Sequence, residues 1–324
     1  MSDTTHLLIP YAASASEGCQ QALQDLALPH LDRLLARLSP LPAQSDNGED
    51  TSFSAPHERA LARTLGLPAQ DGRIPWAAWY RHQQGLAADG QAWAFFTPCQ
   101  WHVTTDHVTL RDPDMLGLDE TASRALLAIV APWFAEDGIT LHYYQPTRWL
   151  ASGALFAQLA TASLERVLLR DVRAWMPDAR AEPAARTLHR LHSEMQMLLY
   201  THAFNDERSA RGLPVVNSFW VHGAGLLPEP LPPAASKAVT PTQPTTLRDA
   251  ALRDDWRAWR AAWTALDAGP VADMLRQAES GTPVQLTLCG ERNALAFHSA
   301  PRTLTQRIQG FFKPSRFMDL RNQL

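Results

Sequence analysis

The 324-residue chain has few cysteines and almost no lysines. Its three cysteines, Cys19, Cys99 and Cys289, form no CxxC pair, so the sequence predicts neither a disulfide framework nor a zinc ribbon. Lys237 and Lys313 are its only lysines, and the net charge is -4 without a dense basic cluster. Because nucleic-acid-binding surfaces normally carry a basic stripe, we do not expect a nucleic-acid partner.

Long apolar runs are also missing from the sequence. The first residues, MSDTTHLLIPYAASA, have no basic segment before their short apolar run, so they do not resemble a signal sequence. No stretch approaches the roughly 18 apolar residues of a membrane span. A hydrophobic fraction of 45% with a charged fraction of 19% is typical of a soluble globular protein. We therefore expect a soluble cytoplasmic protein that does not bind a membrane.

Strand-like and helix-like segments alternate along the chain and predict a layered α/β domain with a mixed sheet. Two segments lack periodic apolar residues. Residues 39–56 predict a mobile surface loop, and the Pro-rich stretch 226–246 predicts an excursion over the surface. About 80 residues follow this excursion, which is marginal for an independent core. We therefore expect a single domain over residues 1–324.

The chain is organised around residues 182–225, EPAARTLHRLHSEMQMLLYTHAFNDERSARGLPVVNSFWVHGAG. Apolar residues at three- and four-residue spacing after Pro183 predict one long helix, which Gly212 ends. The apolar run 215–221 then predicts a strand that is buried on both faces at the centre of the sheet. Residues beyond the carboxyl end of such a strand often bind ligands.

The candidate ligand-binding residues lie on this strand or just past it: Asn217, Ser218, His222, Gly223 and Gly225. Polar side chains in a buried run need hydrogen-bond partners, which either a ligand or a structural network supplies. The glycines allow either close backbone approach to an anion or a tight turn. Because no clear helix follows them, they do not form a dinucleotide-binding fingerprint. A ligand loop and a structural turn both stay open.

Other groups of reactive residues have a structural explanation beside the chemical one. His189, His192 and Glu194 contain metal-ligand types, but the histidines are three residues apart and no second HxxH is present, so we predict no metal site. The remaining candidates are a thiol nucleophile at Cys99 with His102, Asp106 and His107, a strand-end serine at Ser14 or Ser16, and an anion or aromatic contact at Arg148 or Trp149.

A tryptophan stripe follows the Pro-rich stretch. Trp256, Trp259 and Trp263 fall on one side of a helix predicted over residues 247–267, together with Leu252. Such a stripe is explained by core packing or by an interface for a partner or a second subunit.

Three blocks of the sequence carry a resemblance to a known family: LHSEMQMLLYTHAFNDERSARGLPVVNSFWVHGAG, PCQWHVTTDHVTLRDPDMLGLDETASRALLAIVAPWFAEDGI and VQLTLCGER. Together they resemble the bacterial family called regulatory protein RpfE-type, whose members are often labelled cofactor-independent phosphoglycerate mutase-like. That label implies an alkaline-phosphatase-type fold, in which a Ser or Thr nucleophile and clusters of Asp and His hold two metal ions. Where that superfamily has an Asp-Gly turn after its first strand, this chain has Pro10 and Tyr11.

This departure removes ligands that two-metal phosphotransfer requires. We therefore expect a non-catalytic regulatory or ligand-binding protein of the cytoplasm, without a metal or another cofactor. Two alternatives stay open. A phosphoglycerate mutase-like or phosphohydrolase enzyme would gather Asp and His side chains in one cleft, and a protein-docking module would expose the Trp256, Trp259 and Trp263 stripe.

Overall fold

The structure is a computed structural model, and it describes residues 4–86, 90–231, 240–300 and 316–324. Its contacts group the chain into two compact units. Unit 1 comprises Met1–Asp50, Ala55–Gly66 and Pro233–Leu324, and unit 2 comprises Thr51–Ser54 and Leu67–Pro232. The single domain expected from the sequence stays a prediction, because compactness does not show whether each unit folds independently.

The strands of the described residues, in chain order, are β1 (Thr5–Ile9), β2 (Ser39–Pro40), β3 (Ala92–Cys99), β4 (Trp101–Val103), β5 (Val108–Leu110), β6 (Thr140–Gln145), β7 (Arg148–Ser152), β8 (Ser218–Leu226), β9 (Val284–Cys289) and β10 (Ala294–His298). The α-helices are α1 (Glu17–Leu23), α2 (Pro29–Leu35), α3 (Pro56–Thr64), α4 (Trp76–Gln83), α5 (Glu120–Ala135), α6 (Leu164–Val167), α7 (Pro183–Tyr200), α8 (Ala203–Ala210), α9 (Thr246–Ala251), α10 (Trp256–Leu266), α11 (Ala272–Glu279) and α12 (Phe317–Leu320).

Unit 1 is built on a mixed sheet with the strand order β1-β9-β10-β2. β1 and β9 are parallel, whereas β10 is antiparallel to both of its neighbours. Apolar residues of α1, α2, α10 and α11 pack on one face of the sheet, where Leu7, Leu286 and Leu288 are buried. On the other face, Leu8 packs with Ala60 of α3. Alternation along the strands thus places helices on both faces of the sheet.

Unit 2 is built on an antiparallel sheet with the strand order β6-β7-β3-β8, and β4 and β5 form a separate hairpin. The side chains of Ala92, Ala94 and Phe96 lie on one face and join the core that α5 and α7 complete. Helix α4 packs on β3 and β8. The prediction of a layered α/β protein with a mixed sheet is confirmed, the mixed sheet being the one in unit 1.

The length predicted for the helix after Pro183 was wrong. Helix α7 ends at Tyr200, and α8 begins at Ala203. The break lies at His202, whose Nδ1 atom accepts a hydrogen bond from the N–H group of Phe204 at 3.1 Å and so caps α8. A side chain that caps the backbone locally competes with continuation of the helix, and the apolar spacing alone does not reveal this competition.

Two further helices predicted from apolar spacing are interrupted as well. The Leu- and Val-rich segment 163–175 also predicts a helix, but the structure has only α6 and a short 3-10 turn there, because Leu169 between them has a φ of 59°. The helix predicted over residues 247–267 is divided into α9 and α10 at Asp254, which has a φ of 53°. Asp255 then caps α10 by accepting a hydrogen bond from the N–H group of Ala258.

The two segments without periodic apolar residues contain ordered contacts. Residues 39–56 include β2, and the buried Asp46 carboxylate accepts hydrogen bonds from Arg59 and Arg63 of α3. In the Pro-rich stretch 226–246, residues 232–239 lie outside the described residues, while Thr242 forms a parallel bridge with Leu7. The mobility of both segments stays a prediction. Among the described helices, none is long and apolar enough to cross a membrane.

Candidate functional site

The strand that carries the candidate ligand-binding residues is placed differently from the prediction. β8 runs from Ser218 to Leu226, so His222, Gly223 and Gly225 lie within the strand and not in a loop beyond it. It is the last strand in the order β6-β7-β3-β8 and is antiparallel to β3. The predicted central position of this strand was therefore wrong, and so was the placement of His222, Gly223 and Gly225 in a loop beyond it. Ligand binding by these residues stays a prediction.

The glycines of β8 are explained by packing. Opposite β3, the strand contains one extra residue, because Phe95 pairs with His222 and Trp93 pairs with Gly225. Gly223 lies in this bulge with a φ of 60°, a conformation that favours glycine. A Cβ atom on Gly223 would lie 3.0 Å from Cβ of Trp76, at the start of α4. Close packing of α4 on β8 therefore accounts for the glycine without a ligand.

Replacement of Gly223 by alanine tests this explanation. Gly212 has a similar φ of 69°, but a methyl group added there would have no neighbour within 4 Å among the described residues, so Gly212→Ala is the matched control. Both variants carry a backbone penalty of about 1–2 kcal/mol. We expect Gly223→Ala to lower the free energy of unfolding by roughly 1–3 kcal/mol more than the control, because its methyl group is overpacked. Equal losses in urea unfolding would contradict the packing explanation.

Asn217 and Ser218 belong to a hydrogen-bond network inside unit 2. The Asn217 side chain accepts from the N–H group of Trp101 at 2.7 Å and donates to the Trp101 carbonyl at 2.9 Å. Ser218 Oγ is hydrogen-bonded to His192 Nδ1 at 3.2 Å. These contacts join the start of β8 to β4 and α7. They supply the structural partners that buried polar groups require.

His192, which the metal hypothesis included, is a core residue. Its ring is stacked on Phe219, with a centroid separation of 4.1 Å, and on Trp101 at 4.8 Å. Burial, and then the neighbouring His189, lowers the pKa of His192 to about 3. His189 is hydrogen-bonded to the Pro177 carbonyl, and Glu194 forms a salt bridge with Arg190. These three residues therefore do not converge on a common point.

His222 leads to a different group of residues on the face of the sheet that α4 covers. Its Nε2 atom is hydrogen-bonded to Thr97 Oγ1 at 3.3 Å, and its ring lies 5.2 Å from the Phe95 ring. Burial, and then the positive charge of Arg148, lowers the pKa of His222 to about 3. The imidazole is therefore neutral at pH 7.

Arg148 stands at the centre of this group, which we call the Arg148 cluster: Tyr80, Phe95, Tyr144, Arg148 and His222. The guanidinium carbon lies 5.3 Å from the ring centroid of Phe95, 5.5 Å from that of Tyr144 and 6.0 Å from that of Tyr80. The rings of Tyr80 and Tyr144 are 4.9 Å apart. These distances allow cation–π attraction to hold the guanidinium among the rings.

The charge of Arg148 is not balanced by a carboxylate within the described residues. Its Nη2 atom donates to the side-chain oxygen of Gln145 at 3.1 Å, and the salt bridges of the described chain do not include it. Its Nε atom is buried, and no hydrogen-bond acceptor for it is found in the part of the chain that the structure describes. The residue itself is partly exposed. A partly exposed cation with unused donor capacity, surrounded by aromatic rings, is chemically suited to an anion that has a planar neighbour.

The sequence indicated only part of this cluster. His222 was among the candidate residues, and Arg148 was considered for an anion or an aromatic ring. Tyr80, Phe95 and Tyr144 were missed. Phe95 and Tyr144 lie in strand-like segments, where residues two apart share a face of the sheet, and this alternation was the signal that could have indicated them. Trp149, by contrast, is fully buried on the other face of the sheet.

The nucleophile candidates from the sequence have structural roles. Cys99 is fully buried, and burial raises its pKa well above the ordinary thiol range, which disfavours the reactive thiolate. Ser14 Oγ accepts from the N–H group of Ser16, and Ser16 Oγ accepts from that of Cys19 as the cap of α1. His102, Asp106 and His107 are exposed on the β4–β5 hairpin.

The tryptophan stripe lies in the core of unit 1. Trp259 and Trp263 are both 0% exposed, and Trp256 is partly buried against them. The alternative of an exposed docking stripe was therefore wrong for Trp259 and Trp263. Within the described parts of the chain, no group of three His, Cys, Asp or Glu side chains is placed to hold a metal ion. The prediction of no metal stays a prediction.

Neither a protein-family model nor a curated protein sequence matches the chain. Among solved structures, it is similar to a cofactor-independent phosphoglycerate mutase from Thermoplasma acidophilum, with 12% identity, a TM-score of 0.39, and coverage of 93% of this chain and 91% of that one. It is also similar to the PH0037 protein from Pyrococcus horikoshii, with 11% identity, a TM-score of 0.44, and coverage of 100% and 99%. At such scores neither likeness assigns an activity to this chain.

Proposed function

We propose that the chain is a regulatory, ligand-binding protein of the cytoplasm, and that the Arg148 cluster binds a small molecule in which a negatively charged group is attached to an aromatic or other planar group. The observation that carries this proposal is the position of the Arg148 guanidinium, which lies among three aromatic rings and forms no salt bridge in the described chain. The cluster would bind its ligand without transforming it.

The charges around Arg148 favour an anion. His222 is neutral at pH 7, and burial followed by hydrogen bonding to Tyr144 raises the pKa of Tyr80 to about 12, so this phenol is neutral as well. Arg148 is thus the charged member of the cluster, and its donors can bind a carboxylate or a phosphate in a forked geometry. Tyr80 and Tyr144 offer ring surface on which a planar group can stack.

The wider assignment combines this site with the sequence. The three sequence blocks that resemble the regulatory protein RpfE-type family support a regulatory role in bacteria. Pro10 and Tyr11, in place of an Asp-Gly turn, support binding in preference to two-metal phosphotransfer. A net charge of -4 without a basic cluster supports a small-molecule partner in preference to nucleic acid.

Calorimetric titration of the full chain with phenyl phosphate tests the proposal. We expect saturable binding of phenyl phosphate, weaker binding of inorganic phosphate, which has no planar group, and no binding of phenol, which has no charge at pH 7. In the Arg148→Met variant, phenyl phosphate should bind about 10–100-fold more weakly, because a charge-assisted hydrogen bond contributes about 1.5–3 kcal/mol.

Arg124→Met is the matched control for this experiment. The Arg124 guanidinium lies 3.8 Å from the Tyr143 ring centroid, so it is also held by an aromatic ring of β6. It differs from Arg148 because Glu120 neutralises it through a 2.8 Å salt bridge. We expect the control to bind phenyl phosphate as the wild type does. Failure of the wild type to bind, or equal weakening in the two variants, would refute the proposed site.

A further inference from the structure

An open cavity of about 460 Å³ lies in unit 2 at the carboxyl end of β7, the end opposite to Arg148, and Ser152 is one of its lining residues. Most of the cavity wall consists of small residues, and its polar side chains come from Gln91, Thr140 and Ser152. The described residues that line it carry no charge: Gly90, Gln91, Ala92, Gly138, Thr140, Ser152, Gly153, Ala154, Ala157 and Leu226. A volume of this size lies within the range of small-molecule sites.

Ser152, which lines the cavity, is hydrogen-bonded to His142, which lies outside the described cavity lining. The distance from Ser152 Oγ to His142 Nε2 is 3.2 Å. The pairing of β6 with β7 places Thr140 opposite Ser152 and His142 opposite Leu150, so His142 and Ser152 are diagonal neighbours on one face. Two strands of the rigid sheet thus hold a hydroxyl and an imidazole at the separation expected for a nucleophile and its base.

The surroundings of His142 favour its neutral form. Its ring lies 5.1 Å from the Trp93 ring, and the Arg81 guanidinium lies 3.7 Å from the centroid of the same tryptophan. Burial, and then the positive charge of Arg81, lowers the pKa of His142. A neutral imidazole retains an unprotonated nitrogen, which can accept a proton from the serine hydroxyl at neutral pH.

We propose that Ser152 is a nucleophile for acyl transfer, that His142 is its general base, and that the acyl donor is an uncharged ester held in the adjoining cavity. The uncharged wall favours a neutral substrate, because an ion there would lose hydration without gaining a charged partner. This activity is separate from ligand binding at the Arg148 cluster and involves none of the residues of that cluster.

The reaction needs no reagent other than the ester and water. Ser152 Oγ attacks the ester carbonyl carbon while its proton passes to His142 Nε2. The bond from that carbon to the alcohol oxygen then breaks, and the leaving alkoxide takes the proton from His142. Water next attacks the acyl-serine and gives a proton to His142, which returns it to Ser152 Oγ as the carboxylic acid leaves. The sum is one ester and one water converted to one acid and one alcohol.

The experiment is incubation of the full chain with p-nitrophenyl acetate, with release of p-nitrophenolate and the mass of the Ser152 peptide as the two measurements. We expect a burst approaching one p-nitrophenolate per chain and an acetyl group on Ser152. Ser152→Ala should lose both signals, and His142→Gln should slow the burst roughly 100-fold or more, since general-base assistance typically contributes 100- to 10,000-fold.

Two variants separate chemistry from damage to the fold. Ser152→Cys keeps a nucleophile at the same position and should be acetylated even if Ser152→Ala does not fold. His107→Gln changes an exposed residue of the β4–β5 hairpin and leaves both the cavity wall and the Ser152–His142 pair unchanged, so its Ser152 should be acetylated as in the wild type. The proposal is overturned if the wild type is not acetylated at Ser152, or if the His142→Gln variant reacts as fast as the wild type.

Discussion

Trp259→Ala is expected to lower the free energy of unfolding by about 3–5 kcal/mol, the range for removing a buried tryptophan from a core. The side chain is 0% exposed, and its ring forms edge contacts with the rings of Trp256 and Trp263 at 6.0 and 6.3 Å. Its indole N–H group donates to the Tyr11 carbonyl at 2.9 Å. Truncation therefore leaves a cavity and removes the hydrogen bond to the Tyr11 carbonyl.

The hydrogen bond to Tyr11 can be tested apart from the cavity. Tyr11 follows β1 with a φ of 53°, an uncommon conformation for a bulky residue, and the carbonyls of Tyr11 and Ala12 accept from Trp259 and Trp263, respectively. Trp259→Phe retains a ring but removes the donor, so we expect a smaller loss of about 1–3 kcal/mol.

Urea unfolding followed by far-ultraviolet circular dichroism measures both variants without depending on tryptophan emission. Trp133→Ala is the control, because Trp133 is 40% exposed on α5. Its loss should be close to the roughly 1 kcal/mol of an average substitution. If Trp259→Ala unfolded at the same urea concentration as Trp133→Ala, Trp259 would not be a core residue.

Acidification is expected to destabilise the protein through its buried histidines. Burial lowers the pKa of His192 from 6.5 to about 3, so below pH 6.5 the unfolded chain binds a proton that the folded chain does not. The contribution of His192 is complete above pH 6.5, and it is lost as the pH falls from 6.5 towards 3. The loss is at most about 1.4 kcal/mol per pH unit, or about 2 kcal/mol at about pH 5.

His222 acts in the same direction, because its pKa is also lowered to about 3, and its contribution is smaller since the residue is partly exposed.

Urea unfolding of the wild type and of each histidine variant is compared between about pH 7 and about pH 5. The carboxylates that also titrate in acid contribute equally to both proteins, so the difference between them isolates the histidine. His192→Gln should lose less stability over this interval than the wild type. His107→Gln, which changes an exposed histidine, should lose as much as the wild type. If His192→Gln lost as much free energy of unfolding as the wild type over this interval, the lowered pKa of His192 would not be the source of the acid destabilisation.

The fold was predictable where local rules and burial agree. Apolar runs at residues 6–9, 284–288 and 295–297 predict strands, and the structure has β1, β9 and β10 there, with β9 and β10 forming the expected hairpin. Asp119 likewise predicts the cap that it provides for α5. Each depends on residues that are close in sequence: a short apolar run, a turn, or a side chain that accepts a hydrogen bond from the N–H group three residues later.

The candidate site was predictable only in part, because its residues come from distant segments. Arg148 and His222 could be singled out by residue type, but their association with Tyr80 and Phe95 requires α4 and β3 to be placed against them. The pair of His142 and Ser152 depends likewise on the register of β6 with β7. A shift of one residue in that register would turn the two side chains to opposite faces.

The sequence by itself determined the layered α/β class, the absence of a CxxC pair or a basic stripe, and the placement of Trp256, Trp259 and Trp263 on one side of a helix. These properties follow from composition and from periodicity along one segment, which need no knowledge of neighbours. Only the tertiary structure decided that β8 is the last strand of an antiparallel sheet, that Gly223 gives room to α4, and that Arg148 lies among aromatic rings. Those properties depend on strand order and on helix placement, which are set by the burial of many distant side chains together.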